Sequence, residues 1–595
     1  MRRTPLELAR LAGLLLLLAA AAPGGDAQPP ARVEDFGLLD HQGRFHQLYR
    51  EAHRPALVLF VQGNGCPIAR KTVPALRAVR EEFTARGVIF WMINTSPQDD
   101  AAEIAAEAEQ FGIDFPILLD EAQLVARSLG VVRTAEALVI APDGWRIVYR
   151  GPVDDRLSYA SERPAREHWL RDALDAQLAG RPIPTPVREA PGCLIRFDDA
   201  AAPPPAALSY ARDVAPILEQ RCRSCHRAGG VAPWQMSDHA TVRAWAPMMR
   251  EVLRTGRMPP WQADPRYGHF ADTLALPPAE RRTLVRWIET GAPRGAGDDP
   301  LAERPAPPLP EWPLGEPDLV VEAPAQALPA AGVIPYLHET VALPVERELF
   351  VRAVDLRPRN AAVMHHGLAW IEYPDDGRAP RTEGPSFTRG MFAAYVPGRV
   401  AAPFPEGTGY RIPAGARIRF QLHYTATGRP ERDTPRLALY LSQTPLAHEL
   451  KTGAAASFDF EIPPGAEEHE EVAVREIERD VLVYALTPHM HYRGKRMRYD
   501  AHHPDGRVET LLSVPRYDFN WQHQYVLDPP LRLSAGTRLV VTAAFDNSAR
   551  NPANPDPGAR VRWGEQSFEE MLFGYFLYRD DDEPSMQTAG AGGAD

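Results

Sequence analysis

The sequence predicts a multidomain protein in which an α/β domain is followed by an all-α domain and then by an all-β half. Residues 33–195 alternate short apolar strands with helical segments. Residues 208–295 show helical spacing broken by Gly and Pro, and residues from 317 onward carry short β-branched and aromatic runs between turn signals. A chain of 595 residues is also too long for one hydrophobic core.

The composition is that of globular protein, with 44% hydrophobic and 24% charged residues. A net charge of -12 argues against a general nucleic-acid binder, which needs a basic stripe. At the N-terminus, Arg2 and Arg3 precede an apolar run over 11–22, and Gly25-Asp26-Ala27 offers a cleavage site. We therefore expect residues 1–27 to be a signal peptide and the mature protein to be periplasmic or secreted, without a membrane span.

The α/β prediction for residues 33–195 depends on apolar strands separated by helices. Strands are predicted at 56–62, 88–94, 115–119, 137–140 and 145–149, and helices at 68–86 and 98–111. Buried strands that alternate with helices favour a layered α/β fold. The Pro- and Ala-rich stretch at 201–207 marks a linker to the next domain.

Cys66 is the candidate nucleophile of this domain. Cys66-Pro67 follows a strand and opens a helix, whose dipole lowers the pKa of a thiol. The domain resembles redoxins, the peroxiredoxin and thioredoxin-like group, but Gly63 replaces the usual Thr or Ser and Thr134-Ala135 replaces a cis-proline loop. Cys193 could resolve a Cys66 sulfenate or pair with it as a disulfide. A thiol peroxidase and a structural or electron-relay domain both remain open.

A motif for covalent haem attachment follows the linker. Cys222 and Cys225 with His226 form Cys-x-x-Cys-His, in which the thiols add to the haem vinyl groups and the histidine is an axial iron ligand. The alternatives are a thioredoxin-type thiol pair and part of a zinc site, for which His239 alone is poor support. The motif predicts one haem c.

The second axial ligand of the haem is predicted to be Met258, in Gly-Arg-Met-Pro-Pro-Trp, because a methionine ligand suits electron transfer. The run 210–293 resembles bacterial cytochrome c domains that are fused to redox enzymes, which implies an all-α cytochrome c domain over 208–295. Rival ligands are Met236, Met248, Met249 and His269.

The C-terminal half holds five histidines and one methionine that are candidate metal ligands. They are His365, His366, His423, His489, His491 and Met571. A strand directs residues i and i+2 to one face, so His489 and His491 can share a metal. The adjacent His365 and His366 can do so only where a strand ends, twists or bulges. Imidazole with a soft thioether favours copper; the alternative for each side chain is ordinary packing.

The order and surroundings of these six residues resemble the copper type II, ascorbate-dependent monooxygenases, the family of peptidylglycine and dopamine hydroxylases. The resemblance covers about 330–580 and implies two jelly-roll-like β-sandwiches, at 317–450 and 451–580. It implies that the first three histidines hold an electron-transfer copper and that the last three ligands hold the copper where oxygen reacts. Tyr575 matches a substrate-contacting tyrosine of peptide-amidating members, but Thr487 stands where their carboxylate-binding arginine would fall.

Together these features predict an exported copper monooxygenase with one haem c and two coppers. Its expected partners are a small-molecule or peptide substrate, dioxygen and a periplasmic electron donor. The alternatives are a non-catalytic electron-transfer or copper-binding haem protein, and a thiol peroxidase or disulfide redox protein that acts through Cys66. The acidic, Gly/Ala-rich residues 581–595 are predicted to be a disordered tail.

Overall fold

The computed structural model describes residues 32–158, 161–198, 208–271, 273–343, 345–375 and 379–581. The predicted signal peptide, and the predicted tail apart from its first residue, lie outside these ranges. Along the chain, the elements form a mixed α/β group, a helical group and a β group. Within the described ranges, no helix is long and apolar enough to cross a membrane.

The N-terminal domain contains seven named strands and four α-helices. These are β1 (Gly37–Leu39), β2 (Phe45–Gln47), β3 (Leu57–Gln62), α1 (Pro67–Thr84), β4 (Ile89–Asn94), α2 (Ala101–Gln110), β5 (Ile117–Leu119), α3 (Leu124–Ser128), β6 (Ala137–Ala141), β7 (Arg146–Gly151) and α4 (Trp169–Leu178). Five of the strands form one sheet in the order β5-β4-β3-β6-β7. In it, β3, β4 and β5 run parallel, β6 is antiparallel to β3, and β7 is antiparallel to β6.

The central strand β3 is buried along its whole length, because apolar clusters cover both faces of the sheet. The helix α2 begins at a capping box between Asp100 and Glu103. The predicted strands at 56–62 and 88–94 begin one residue before β3 and β4. The α/β prediction for this domain is therefore confirmed.

The region from 208 to 303 is helical. A π-helical turn, Tyr210–Val214, leads into α5 (Ala215–Arg221), α6 (His239–Arg254), α7 (Pro278–Glu289) and α8 (Pro300–Glu303). They pack around the fully buried Trp287. No strand is assigned in the part of this region that the structure describes. The assignment of the region as a cytochrome c domain stays a prediction.

The C-terminal half begins with a sandwich of two main sheets, ordered β10-β15-β12-β13 and β18-β14-β11-β17-β8. Most strand pairs are antiparallel, and β14 with β18 is a parallel exception. The strands are β8 (Leu319–Glu322), β9 (Gln326–Leu328), β10 (Leu337–Ala342), β11 (Leu349–Arg357), β12 (Met364–Glu372), β13 (Met391–Tyr395), β14 (Thr408–Ile412), β15 (Arg417–Tyr424), β16 (Glu431–Asp433), β17 (Arg436–Leu441) and β18 (His448–Glu449).

A second sandwich follows, with main sheets ordered β19-β28-β22-β25 and β21-β26-β23-β24. All its pairs between named strands are antiparallel, which confirms the predicted all-β half. Its strands are β19 (Lys451–Ser457), β20 (Glu461–Ile462), β21 (His469–Glu476), β22 (Val481–His489), β23 (Gly494–His502), β24 (Val508–Val514), β25 (Tyr525–Leu533), β26 (Arg538–Phe545), β27 (Val561–Arg562) and β28 (Leu572–Asp580).

Candidate functional site

Three of the predicted metal ligands lie on neighbouring strands of the first sandwich. His365 and His366 are on β12, and His423 on β15 is the register partner of His366. The register shifts between Met364 and His366. A bulge of this kind is what two adjacent histidines need in order to face the same side of a strand. We call these three residues the histidine pocket.

The ring nitrogens of the histidine pocket converge on one point. Nδ1 of His366 lies 3.1 Å from Nδ1 of His365 and 3.4 Å from Nδ1 of His423. The three ligand atoms all lie within 4.8 Å of one another. Nitrogens bound to one tetrahedral ion, with metal–nitrogen bonds of about 2.0–2.1 Å, lie about 3.3 Å apart. The pocket therefore fits a single metal ion.

Burial keeps these imidazoles neutral. Burial first, and then the neighbouring histidines, lower the pKa of His423 to about 3 and that of His366 well below its ordinary value. The pKa of His365 is lowered as well, again chiefly by burial. A neutral imidazole has a lone pair to offer, and a metal ion binds only that form.

The other three predicted ligands lie at one end of the second sandwich. His489 ends β22, His491 follows two residues later, and Met571 immediately precedes β28, which pairs with β22. The rings of the two histidines are perpendicular, with centroids 5.3 Å apart. Met571 is only 8% exposed. We call these three residues the methionine pocket.

Hydrogen bonds set the tautomers of both histidines in the methionine pocket. Nδ1 of His489 donates to Oε1 of Gln522 at 2.6 Å, and Nδ1 of His491 donates to the carbonyl of Glu569 at 3.3 Å. The lone pair of each ring is thus on Nε2. Nε2 of His491 is buried and has no hydrogen-bond partner among the described residues. Burial lowers the pKa of His489 to about 4 and that of His491 well below normal.

The buried Glu570 draws the backbones of the methionine pocket together. Its Oε2 accepts the backbone N–H of His491 at 2.8 Å and that of Met571 at 3.3 Å. Its Oε1 accepts the N–H of Arg493 at 2.6 Å. Burial raises the pKa of this carboxyl to about 8, against the opposing effect of these donors. The unpaired Nε2 and the buried thioether suit a soft metal ion such as Cu(I).

Phe519 lies between the two pockets. Its ring stacks on His365 with centroids 4.5 Å apart, and it meets His491 edge-on at 5.9 Å. The rings of His366 and His423 are 6.5 Å and 6.4 Å from it. The two pockets are therefore neighbours across one apolar side chain, which sequence reasoning missed.

Tyr575 lies beside the methionine pocket. Its ring centroid is 6.1 Å from that of His489, and Phe573 lies next to both rings. Its register partner across the sheet is Thr487.

The haem motif lies between α5 and α6. Cys222 follows the last residue of α5, and the N–H of His226 donates to its carbonyl at 3.1 Å. Nδ1 of His226 donates to the carbonyl of Trp234 at 3.1 Å, which leaves the Nε2 lone pair for a metal. Burial lowers the pKa of His226 and raises that of Cys222 to about 12. The orientation of His226 suits an axial ligand.

The candidate second haem ligands differ in burial. Met258 is half-buried, and its N–H donates to the carbonyl of Val252 at 3.2 Å. Met236 and Met249 belong to the core of the helical region, whereas Met248 is 46% exposed. Met258 therefore stays the predicted ligand.

The N-terminal domain brings Cys66 and Cys193, here called the thiol pair, to an Sγ–Sγ distance of 3.3 Å. Sγ of Cys66 also lies 3.0 Å from Oγ1 of Thr134 and accepts the N–H of Ala69 at 3.4 Å. Burial raises the pKa of Cys66, but these hydrogen bonds outweigh it and the pKa is lowered overall. The pKa of the exposed Cys193 is raised by its hydrogen bond to Cys66. Cys66 is thus the more acidic thiol of the pair, and Cys193 the less acidic one.

Reciprocal hydrogen bonds hold the thiol pair in place. The N–H of Cys193 donates to Oγ1 of Thr134, and the N–H of Thr134 donates to the carbonyl of Cys193, each at 2.9 Å. A Cβ on Gly192 would lie 1.9 Å from the carbonyl oxygen of Thr134. Only glycine therefore allows this close approach.

Comparisons with known proteins concern the N-terminal part. Residues 30–155 match the AhpC/TSA family. A hypothetical protein from Sinorhizobium meliloti 1021 is 27% identical over 29% of this chain and 94% of its own, with a TM-score of 0.27. An uncharacterized conserved protein from Geobacillus kaustophilus is 28% identical over 29% and 92%, with a TM-score of 0.25. A thioredoxin-family thiol:disulfide interchange protein from Chlorobium tepidum is 16% identical over 26% and 99%, with a TM-score of 0.20.

The family match coincides with the five-stranded sheet and with the helix that begins after Cys66. The 440 residues that follow residue 155 lie outside that match. The chain therefore contains an AhpC/TSA redoxin domain over residues 30–155, and the described part of that domain has a thioredoxin-like α/β fold.

Proposed function

We propose that the protein is an exported copper-dependent monooxygenase that hydroxylates an organic substrate and receives electrons through a fused haem c. The single observation that carries this proposal is the convergence of three ring nitrogens in the histidine pocket. Copper, when bound, would supply the one-electron chemistry that lets dioxygen react with a C–H bond. The redoxin domain already makes the chain an oxidoreductase in the general sense.

The two pockets have different donor sets, which supports different roles. The histidine pocket offers three imidazoles and suits electron storage. The methionine pocket offers two imidazoles and one thioether, and the thioether favours the reduced ion. Phe519 contacts one histidine of each pocket, His365 and His491. Tyr575, beside His489, would contact the substrate.

The haem motif supports an internal source of electrons. Cys222 and Cys225 would hold the haem covalently, and His226 would bind its iron through Nε2. Fusion of donor and acceptor in one chain raises their effective concentration. This gives a physical reason for the order of the domains.

Metal analysis with oxygen uptake tests the proposal. Protein matured with haem should bind two copper ions per chain and consume oxygen when ascorbate and a substrate are supplied. Met571→Ala and His423→Ala should each lose one copper and abolish hydroxylation, while the haem spectrum is retained. His502→Ala, which removes a histidine outside both pockets, is the matched control and should behave as wild type. Copper-free wild-type protein would support a haem-bearing carrier instead.

A second candidate function rests on the 3.3 Å separation of the thiol pair. In a thiol peroxidase, peroxide would oxidise the Cys66 thiolate to a sulfenic acid. Cys193 would then condense with it, releasing water and forming a disulfide that an external dithiol reduces. Peroxide consumption by the wild type that is lost in Cys66→Ser would support this activity. Equal peroxide consumption by the wild type and Cys66→Ser would exclude this activity.

A further inference from the structure

One segment of the helical region docks on the second sandwich. Trp261 packs edge-on against Tyr525, with centroids 5.0 Å apart. Backbone hydrogen bonds join the two parts at three points, from Asp264 N–H to the Ser513 carbonyl (2.8 Å), from Ala271 N–H to the Val526 carbonyl (2.9 Å) and from Asp528 N–H to the His269 carbonyl (2.9 Å). This segment also carries Met258, the predicted haem ligand.

Two side chains that are neighbours in sequence extend this contact to the methionine pocket. Nε2 of His523 donates to the carbonyl of Pro260 at 2.5 Å. Gln522, one peptide bond away, accepts the Nδ1 hydrogen of His489 at 2.6 Å. Covalent bonds and two short hydrogen bonds therefore connect Met258 with His489.

We propose that Gln522 and His523 form the route by which electrons pass from the haem segment into the methionine pocket, so that this pocket is reduced directly. The inference rests on the proposed function. With haem iron held by Cys222, Cys225 and His226 and copper held in the methionine pocket, one electron would pass from ferrous iron, which would become ferric, to a cupric ion, which would become cuprous. A one-electron donor such as ascorbate restores the ferrous haem. Gln522 and His523 are positioning residues and do not themselves change oxidation state.

The alternative entry point is the histidine pocket. The loop between β24 and β25, which carries Gln522 and His523, reaches this pocket through Phe519 and Asn520. Phe519 contacts His365 only by stacking. The side-chain amide of Asn520 donates to Asp518 at 3.0 Å and also interacts with His365, but three peptide bonds separate Asn520 from His523. Gln522 combines a direct hydrogen bond to a predicted ligand with a single peptide bond to His523, so it offers the shorter bonded route.

The experiment follows electron transfer without turnover. Full-length protein with reduced haem and oxidised copper is studied anaerobically and without substrate, by haem absorbance and by the cupric paramagnetic resonance signal. His523→Phe keeps the ring beside Trp261 but removes the donor, and Gln522→Leu removes the acceptor. Gln524→Leu removes a surface partner of Arg399 in the same loop and is the matched control.

Each variant lacks one hydrogen bond of the route. Without a hydrogen bond of ordinary strength, the two groups are in the close geometry about tenfold less often. We therefore expect haem oxidation to be about tenfold slower in His523→Phe and in Gln522→Leu. Gln524→Leu should transfer at the wild-type rate, and Gln522→Glu should retain it because an acceptor oxygen remains. Copper content, haem spectrum and unfolding temperature should stay unchanged in His523→Phe, which separates the route from a folding defect.

Wild-type rates in both His523→Phe and Gln522→Leu, with two coppers bound, would overturn this inference and leave the proposed function standing. Slower transfer in Asn520→Leu alone would also overturn it, in favour of entry through the histidine pocket. A wild type that binds no copper would overturn the proposed function and this inference with it.

Discussion

Glu570→Ala is the substitution that tests the construction of the methionine pocket most severely. The Glu570 carboxyl group accepts three backbone N–H groups, those of His491, Arg493 and Met571. Each buried donor left without a partner costs about 1–3 kcal/mol, so three donors give about 3–9 kcal/mol. Water entering the vacated space satisfies some of them, and we therefore expect a cost near the lower end, about 3 kcal/mol.

Amide hydrogen exchange followed by mass spectrometry measures this cost locally, in peptides that cover 489–493 and 570–573. A loss of about 3 kcal/mol corresponds to exchange about a hundredfold faster, since each 1.4 kcal/mol is a factor of ten. Glu570→Gln keeps an acceptor oxygen for the N–H groups of His491 and Met571 but turns its own N–H toward that of Arg493. We therefore expect amide exchange in these peptides to be about tenfold faster than in the wild type.

The copper content of Glu570→Ala provides a second measurement. Because Glu570 orders the backbones of two predicted ligands without binding metal, the variant should bind copper more weakly in the methionine pocket and normally in the histidine pocket. Exchange within threefold of wild type in both peptides would refute the reasoning, because the three hydrogen bonds would then contribute nothing to local stability.

Three further predictions concern the N-terminal domain. The pKa of Cys66 is lowered, so its oxidation by peroxide should rise with pH about a midpoint below the ordinary thiol value of about 8.5, and a midpoint at or above that value would contradict the assignment. Gly192→Ala places a Cβ 1.9 Å from the Thr134 carbonyl oxygen and should therefore slow disulfide formation in the thiol pair. Thiol titration over time measures this rate, and a rate equal to that of the wild type would contradict the close approach of Gly192 to Thr134. Arg150→Met strands the buried Glu136 carboxylate and should cost about 3–5 kcal/mol in thermal unfolding. The double variant with Glu136→Met should recover most of this loss.

The sequence predicts those parts of the fold in which the pattern is long enough to be periodic. The six-residue, largely apolar β3 and the amphipathic α1 were predicted to within one or two residues at each end. The three-residue strands β1 and β2 and the five-residue α3 were not predicted, because so few residues carry no periodicity. Their formation depends on contacts made elsewhere in the domain.

The candidate site likewise contains residues that the sequence could predict and residues that it could not. Histidine, methionine and cysteine are distinctive residue types, so the sequence could nominate the predicted ligands and the thiol pair. Glu570, Phe519 and Gln522 were missed because their roles depend on strand register and on the path of one loop. The Phe-Glu-Glu-Met sequence before β28 was the available signal for Glu570, since an acidic residue next to a buried strand needs donors.

X-ray absorption at the copper edge of the reduced, copper-loaded protein tests the central claim most directly. The account predicts two coppers per chain in nitrogen surroundings, with a sulfur scatterer at one of them that disappears in Met571→Ala. A spectrum without sulfur, or one that is identical in wild type and Met571→Ala, would contradict the assignment of the methionine pocket.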